Sequence, residues 1–279
     1  MAEHPPKTPS ISEQPCYHKR QSQYRLTPVA DKWQRLRWGK WGWAIITCLI
    51  CGALFYHGSI LFRIVKFKNS NPATTAFIEE RIRKAVAQGV APKKEQTWIP
   101  YERISTNLVR AVLAGEDIRF FHHSGVDLAA IQLAMQKNWQ EKRLTRGAST
   151  INQQLAKNLF LSSSRNPVRK LHEALIAVEM KYILGERRTL EFYLNVIEWG
   201  DGIYGAEAAA RHYFNTSAAV LNVEQAAFLA TIIPNPLGNH DPAVPSSHVQ
   251  ERISRILILM SHPLLRHPLL EDAGHANVR

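Results

Sequence analysis

The chain has 279 residues, 45% of them hydrophobic and 21% charged, with 35 Lys and Arg against 23 Asp and Glu and a formal charge of +12 at pH 7. With the first forty residues set aside, 27 basic and 20 acidic residues remain, scattered among one another and without zinc-ligand or nucleic-acid motifs; this excludes a nucleic-acid partner and favours anionic headgroups and pyrophosphates. The three cysteines, Cys16, Cys48 and Cys51, all lie in the N-terminal part, which excludes a disulfide framework in the larger remainder.

Residues 1–40 read as a basic cytoplasmic tail, and Pro5, Pro6, Pro9, Pro15 and Pro28 among polar neighbours predict disorder over most of it. Residues 41–62 read WGWAIITCLICGALFYHGSILF, a run without Asp, Glu, Lys or Arg that is long enough to cross a hydrocarbon layer about 30 Å thick as a helix. Trp38, Trp41 and Trp43 near one end and Phe55, Tyr56 and Phe62 near the other suit the two interfaces. A cleaved signal peptide has a shorter apolar region close to residue one, so the run is predicted to be an uncleaved anchor. His57, within it, is assigned no function. The longer basic run, Lys32, Arg35, Arg37 and Lys40, precedes the span, against Arg63, Lys66 and Lys68 after it, and favours a cytoplasmic N-terminus with an external C-terminal body.

Residues 63–100 are predicted to form a connector with some helix, interrupted by Pro72, Gly89, Pro92 and Pro100. The body beyond the anchor, roughly 215 residues, suits one compact domain or a domain with a smaller lobe. Its pattern is helical. Leu171, Leu175, Val178 and Tyr182 recur at helical spacing, as do Ile151, Leu155 and Leu159, while sustained alternation is scarce, so a mainly α fold is expected. A loop at Pro234, Pro236, Gly238, Pro242 and Pro245 precedes a last helix near Val249 to Met260. The main domain is placed at 101–262, followed by a C-terminal tail, 263–279.

Glu116 follows the apolar run Val112-Leu113-Ala114, a setting that partly desolvates a carboxylate and makes it a better base. Asp117 is its neighbour; His122 and His123 are better placed to orient the turn than to transfer protons. On a helix capped by Ser149, with Gly147 allowing a close turn, Thr150, Gln154 and Lys157 fall on one polar face with Asn158 adjoining, opposite Ile151, Leu155 and Leu159. That face suits either solvent or an anion, as do the backbone N–H groups at the helix start. After Asn166-Pro167 a second helix carries Arg169, Lys170 and Glu173. Arg169 and Glu173 at i, i+4 are either an ordinary surface pair or part of a phosphate or cation site. Glu198 and Asp201 are further carboxylates in a glycine-rich loop.

The ordered blocks EDIRFFHHSGVD, GASTINQQLAKNLF, RKLHEALIAVE and ILGERRTLEFYLNVIEWGDGIYGAEAAARHYF, roughly residues 110–215, with weaker similarity through Pro234-Asn235-Pro236, resemble the peptidoglycan glycosyltransferases of family 51. The resemblance implies a lysozyme-like, mainly α glycosyltransferase domain with a small membrane-associated lobe, matched here by Val126 to Trp139 with Leu128, Ile131, Met135 and Trp139 near one face. It implies polymerisation of lipid II into β-1,4 glycan strands with inversion and release of undecaprenyl pyrophosphate, in a member without a transpeptidase domain. Glu116 falls on the catalytic base. Glu173 falls on the second glutamate, which orders the site or holds a divalent cation, Mg or Mn; no organic cofactor is implied. Asp117, Phe120 and His123 match recurrent positions of the first block, and Thr150, Gln154, Lys157, Asn158, Arg169 and Lys170 those of the donor and pyrophosphate site. Expected partners are lipid II, the growing lipid-linked chain, the membrane, and cell-division or cell-wall synthesis proteins. The expected location is the bacterial inner membrane, single-pass, with the catalytic domain periplasmic. Ala148 and Asn152 depart from the family's usual glycine and threonine or serine. Two rivals are a glycan-cleaving lysozyme-like enzyme and a non-catalytic membrane scaffold of the cell-wall machinery; the intact Glu116, Glu173, Lys157 and Arg169 oppose the latter.

Overall fold

A computed structural model describes residues 29–141, 149–164, 166–238 and 240–271. Gly147, Ala148, most of the N-terminal tail and residues 272–279 lie outside the described residues. The chain divides into two units, residues 1–54 and 55–279.

Helix α1, Val29–Lys66, contains the stretch Trp41–Lys66, which among the described residues is the helix long and apolar enough to cross a membrane, with mean hydropathy 1.9. In the first unit Trp41, Trp43, Leu49 and Leu54 are exposed. An exposed apolar helix without charges is stable against lipid rather than water, and its backbone groups are satisfied internally.

The second unit begins within the same helix. Ile60 and Ile64 are buried, and the Phe67 ring lies 6.0 Å from that of Phe160 and 5.2 Å from that of Phe192. The segment read as a connector carries helix α2, Ala76–Ala87, capped by Thr75, and strand β1, Glu95–Gln96. Its Ile78 and Ile99 are buried, so it is built into the body rather than spanning a gap.

The remainder is mainly α, as expected. Helix α3, Thr106–Glu116, is capped by Ser105 and buries Leu108, Val109 and Ala111 through Ala114. Helix α4, Leu128–Glu141, exposes Leu128, Leu133, Met135 and Trp139. Helix α5, Ile151–Phe160, packs on α6, Pro167–Val196, which breaks at Gly185 (φ 73, ψ 178). Strand β2, Glu198–Gly200, and strand β3, Ile203–Tyr204, follow, then helix α7, Ala206–Phe214. Helix α8, Val223–Ile232, packs against α3 and against α9, Ser247–Leu259. With apolar residues nearly all round, α8 belongs inside, and Ala226 through Ile232 are buried.

Residues 29–40, read as part of the disordered tail, continue helix α1 instead, and besides these and the connector two further segments differ from expectation. The block EWGDGIY folds as a hairpin within a small sheet of order β1-β3-β2, with β3 parallel to β1 and antiparallel to β2; the strands are too short for an alternating signal. The start of the segment read as a C-terminal tail is packed instead. It ends in a short helix, α10, Pro268–Glu271, with Leu265 and Leu270 buried. The carbonyls of Leu269 and Leu270 accept bonds from Tyr101 and Arg110, each at 3.2 Å.

Candidate active site

Helix α3 ends at Glu116 because Asp117 leaves helical geometry (φ −159, ψ 73). The Asp117 carboxylate is buried and accepts from His123 Nε2 at 3.0 and 3.1 Å and from the Ile151 N–H at 2.9 Å. Since Ile151 opens α5, one carboxylate joins the end of one helix to the start of another. Thr150, not Ser149, caps α5. Its hydroxyl accepts from Gln153 N–H and the Gln153 side chain accepts from Thr150 N–H, a reciprocal box for which Ser149 lacks the partner. Thr150 Oγ1 also donates to the Gly125 carbonyl at 2.6 Å. Gly125 (φ 99) lies so close to α6 that a Cβ would stand 2.6 Å from the Ala177 carbonyl oxygen, so the contact requires glycine.

Asp117, Phe120, His123 and Thr150 therefore spend their polar atoms or rings inside the wall of the site. Phe120 is fully buried, with Lys181 Nζ 4.7 Å from its ring centre. Thr150 does not continue the polar face predicted from helical spacing, because a capping residue is not itself helical. Asn158 is buried on α5.

The other predicted residues meet around a cleft of about 790 Å³, where Glu116, Gln154 and Lys157 face Arg169, Lys170 and Glu173. Glu116 is not set in an apolar pocket. Val112, Leu113 and Ala114 turn into the core, and the carboxylate accepts from Gln154 Nε2 at 3.0 Å and pairs with Arg252 at 3.0 Å. Lys157 lies three residues beyond Gln154, about 4.5 Å further along the helix axis. Its ammonium has no hydrogen-bond partner among the described residues. Burial lowers its pKa below the ordinary lysine value; the Glu173 charge opposes that shift, and Arg169 and Lys170 reinforce it.

Glu173 is buried, and the surface-pair reading fails for it. Arg169 approaches one oxygen at 2.7 Å and Lys170 the other at 2.5 Å, while Lys170 also donates to Ser149 Oγ at 2.8 Å. With both oxygens engaged by cations, and no cluster of three His, Cys, Asp or Glu among the described residues, the donor set does not fit a protein-held divalent ion. One end of the cleft thus presents a carboxylate held by an amide and a guanidinium. The other presents three cations around one carboxylate, a net positive surface.

Glu198 and Asp201 lie with the hairpin instead: Arg81 meets Glu198 at 2.6 Å, and Lys93 meets Asp201 at 2.9 Å. His122 faces the Leu264 carbonyl at 3.3 Å. His57 gains partners, with Nδ1 3.0 Å from His172 Nε2 and Nε2 2.9 Å from Glu179.

Two residues of the site escaped the sequence reading. Arg252 lies on α9 between the buried Val249 and Ile256, so a charged residue on an otherwise core-facing stripe was the available signal. Tyr193 stands in a continuous buried run from Thr189 to Val196, where nothing in the pattern separates it from a core aromatic.

Comparison with known proteins gives a consistent picture. The sequence model of the Transglycosylase family matches residues 83–261. The chain is 49% identical over 188 residues to the biosynthetic peptidoglycan transglycosylase of Nitrosomonas eutropha, covering 67% of this chain and 77% of that one. It is 45% identical over 192 residues to the protein of the same name from Chromobacterium violaceum, covering 69% and 84% respectively. For that of Laribacter hongkongensis the identity is 48% over 197 residues, covering 71% and 86%.

Proposed function

The chain belongs to the Transglycosylase family, and from that premise we propose that it is a membrane-anchored peptidoglycan glycosyltransferase that polymerises lipid II into β-1,4 glycan strands. The observation that carries the reading is the division of the cleft between Glu116 and the group Lys157, Arg169 and Lys170.

In this reading Glu116 takes the proton from the 4-hydroxyl of the acceptor sugar as that oxygen attacks the anomeric carbon of the donor chain. The bond to undecaprenyl pyrophosphate breaks on the opposite face, which inverts the anomeric centre. Negative charge then grows on the departing pyrophosphate, where Lys157 has an ammonium not engaged by hydrogen bonds to described residues and Arg169 and Lys170 are held by Glu173.

The helix Trp41–Lys66 suits a single-pass anchor, which keeps the cleft beside a lipid-borne substrate. The basic run before it supports a cytoplasmic N-terminus and a periplasmic body in the bacterial inner membrane. The exposed Leu128, Leu133, Met135 and Trp139 of α4 suit an interfacial lobe through which the lipid enters.

The test is to incubate the full chain in detergent micelles with lipid II and resolve the products by size. Glycan growth that disappears in Glu116→Gln is expected. Shortening of preformed glycan with no polymer would overturn the proposal in favour of a hydrolase, and undiminished polymerisation by Glu116→Gln would remove Glu116 from its role.

A further inference from the structure

The side-chain amide of Gln154 lies between two groups of opposite need. Its Nε2 is 3.0 Å from Glu116 Oε2, and its Oε1 is 2.7 Å from the Tyr193 hydroxyl. An amide can turn over and exchange its donor and acceptor ends at little internal cost, so its neighbours decide which end points where. An ionised carboxylate only accepts and therefore selects the NH2 end. The oxygen then faces away from Glu116 and needs a donor, and the phenol supplies one.

Tyr193 is built to keep that proton. It is fully buried, and burial, with the charges of Glu116 and Asp117 adding to it, raises the phenol pKa well above its ordinary value. Its backbone is fixed two residues further along α6, where the buried Asn195 side chain accepts from the Ile99 N–H at 2.8 Å and donates to the Ile99 carbonyl at 2.9 Å. The hydroxyl therefore comes from a rigid part of α6 beyond the Gly185 break, away from the turns that carry Arg169 and Glu173.

We propose that Tyr193 is a positioning residue for the base: its O–H locks the Gln154 amide with the NH2 toward one oxygen of Glu116, which, together with the Arg252 guanidinium 3.0 Å from the other oxygen, keeps the carboxylate ionised and aimed at the acceptor hydroxyl. The proposal rests on the reading of Glu116 as the general base. It differs from the role of an ordinary core tyrosine in requiring that Tyr193 act only through Gln154.

A double-mutant cycle tests that requirement, using the full chain in detergent micelles with lipid II and the variants Tyr193→Phe, Gln154→Met and their combination. Tyr193→Phe is expected to lower kcat about tenfold with KM within about twofold, the scale of one lost hydrogen bond in a charged network. The acid limb of its rate profile moves to higher pH, because a freed amide turns its oxygen toward Glu116 part of the time. In the Gln154→Met background the same change lowers kcat by less than about twofold. An equal loss in both backgrounds, or Tyr193→Phe within about twofold of wild type, overturns the inference. Should Tyr193→Phe fail to fold, Gln154→Met alone must still shift the acid limb upward, and an unshifted profile overturns the inference. Wild-type protein that makes no polymer would instead sink the underlying reading, which separates the two failures.

Discussion

Arg252 and Glu116 are joined by an ion pair of 3.0 Å with both side chains largely buried, 16% and 11% exposed, although the residues are 136 positions apart in sequence. The pair fastens α9 to the end of α3. A guanidinium so close stabilises the ionised carboxylate, which a base needs before the acceptor arrives.

Arg252→Gln is therefore expected to reduce kcat/KM by about tenfold on the acid side of the rate profile, where a carboxyl deprived of its guanidinium is ionised less of the time. The acid limb of the rate profile should move to higher pH, because removing a positive neighbour favours the protonated carboxyl. Rates with lipid II across pH check both effects. A variant with an unchanged acid limb would show that Arg252 only braces α9.

Lys157 gives a prediction in which stability and activity separate. Its pKa is lowered chiefly by burial, so the folded state carries a desolvation penalty for this ammonium. The unfolded chain binds this proton more tightly, and stability from this group rises as pH climbs from the folded value toward the ordinary one. Lys157→Met should polymerise glycan far more slowly yet melt at or above the wild-type temperature at pH 7, since an unbranched apolar chain of similar length removes the penalty. Thermal melting beside activity decides it, and a loss of several degrees would contradict it.

The α fold was legible in the sequence because helices leave a repeating apolar stripe, as Ile151, Leu155 and Leu159 do on α5, all three now buried. The short hairpin was not, since strands of two or three residues carry no period. Glu116, Gln154, Lys157 and Glu173 were found through local motifs, whose residues stay close in space. Arg252 was not, because its partner lies far away in sequence. The roles of Asp117 and Thr150 were ambiguous for a different reason: a carboxylate or hydroxyl that builds a wall has the same letter as one that lines a cleft, and only hydrogen-bond partners such as the Ile151 N–H and the Gly125 carbonyl distinguish them.

Asn152 stands fully buried on α5, with neither its Oδ1 nor its Nδ2 bonded among the described residues. An unsatisfied buried amide costs roughly 1 to 3 kcal/mol. Asn152→Thr, which brings the residue usual in the resembled family, leaves fewer polar atoms to satisfy and should raise the melting temperature by about 2 to 4 °C without loss of polymerisation. A lower melting temperature would mean that Asn152 packing outweighs its unmet polar groups.

His172 supplies a pH dependence outside the cleft. Its pKa is lowered, first by burial and then by His57 nearby, with Glu179 opposing. A histidine whose folded value lies below the ordinary one is protonated more readily in the unfolded chain, so its contribution is complete above the ordinary value near 6.5 and falls as pH drops from there toward the folded value. Below that the loss stops growing. Melting temperatures taken between about pH 7.5 and 5 should decline through this window, and His172→Gln should flatten the decline, since glutamine keeps polar atoms for the hydrogen bond at 3.0 Å to His57 but does not titrate. An equally steep decline in His172→Gln would assign the pH dependence to other groups.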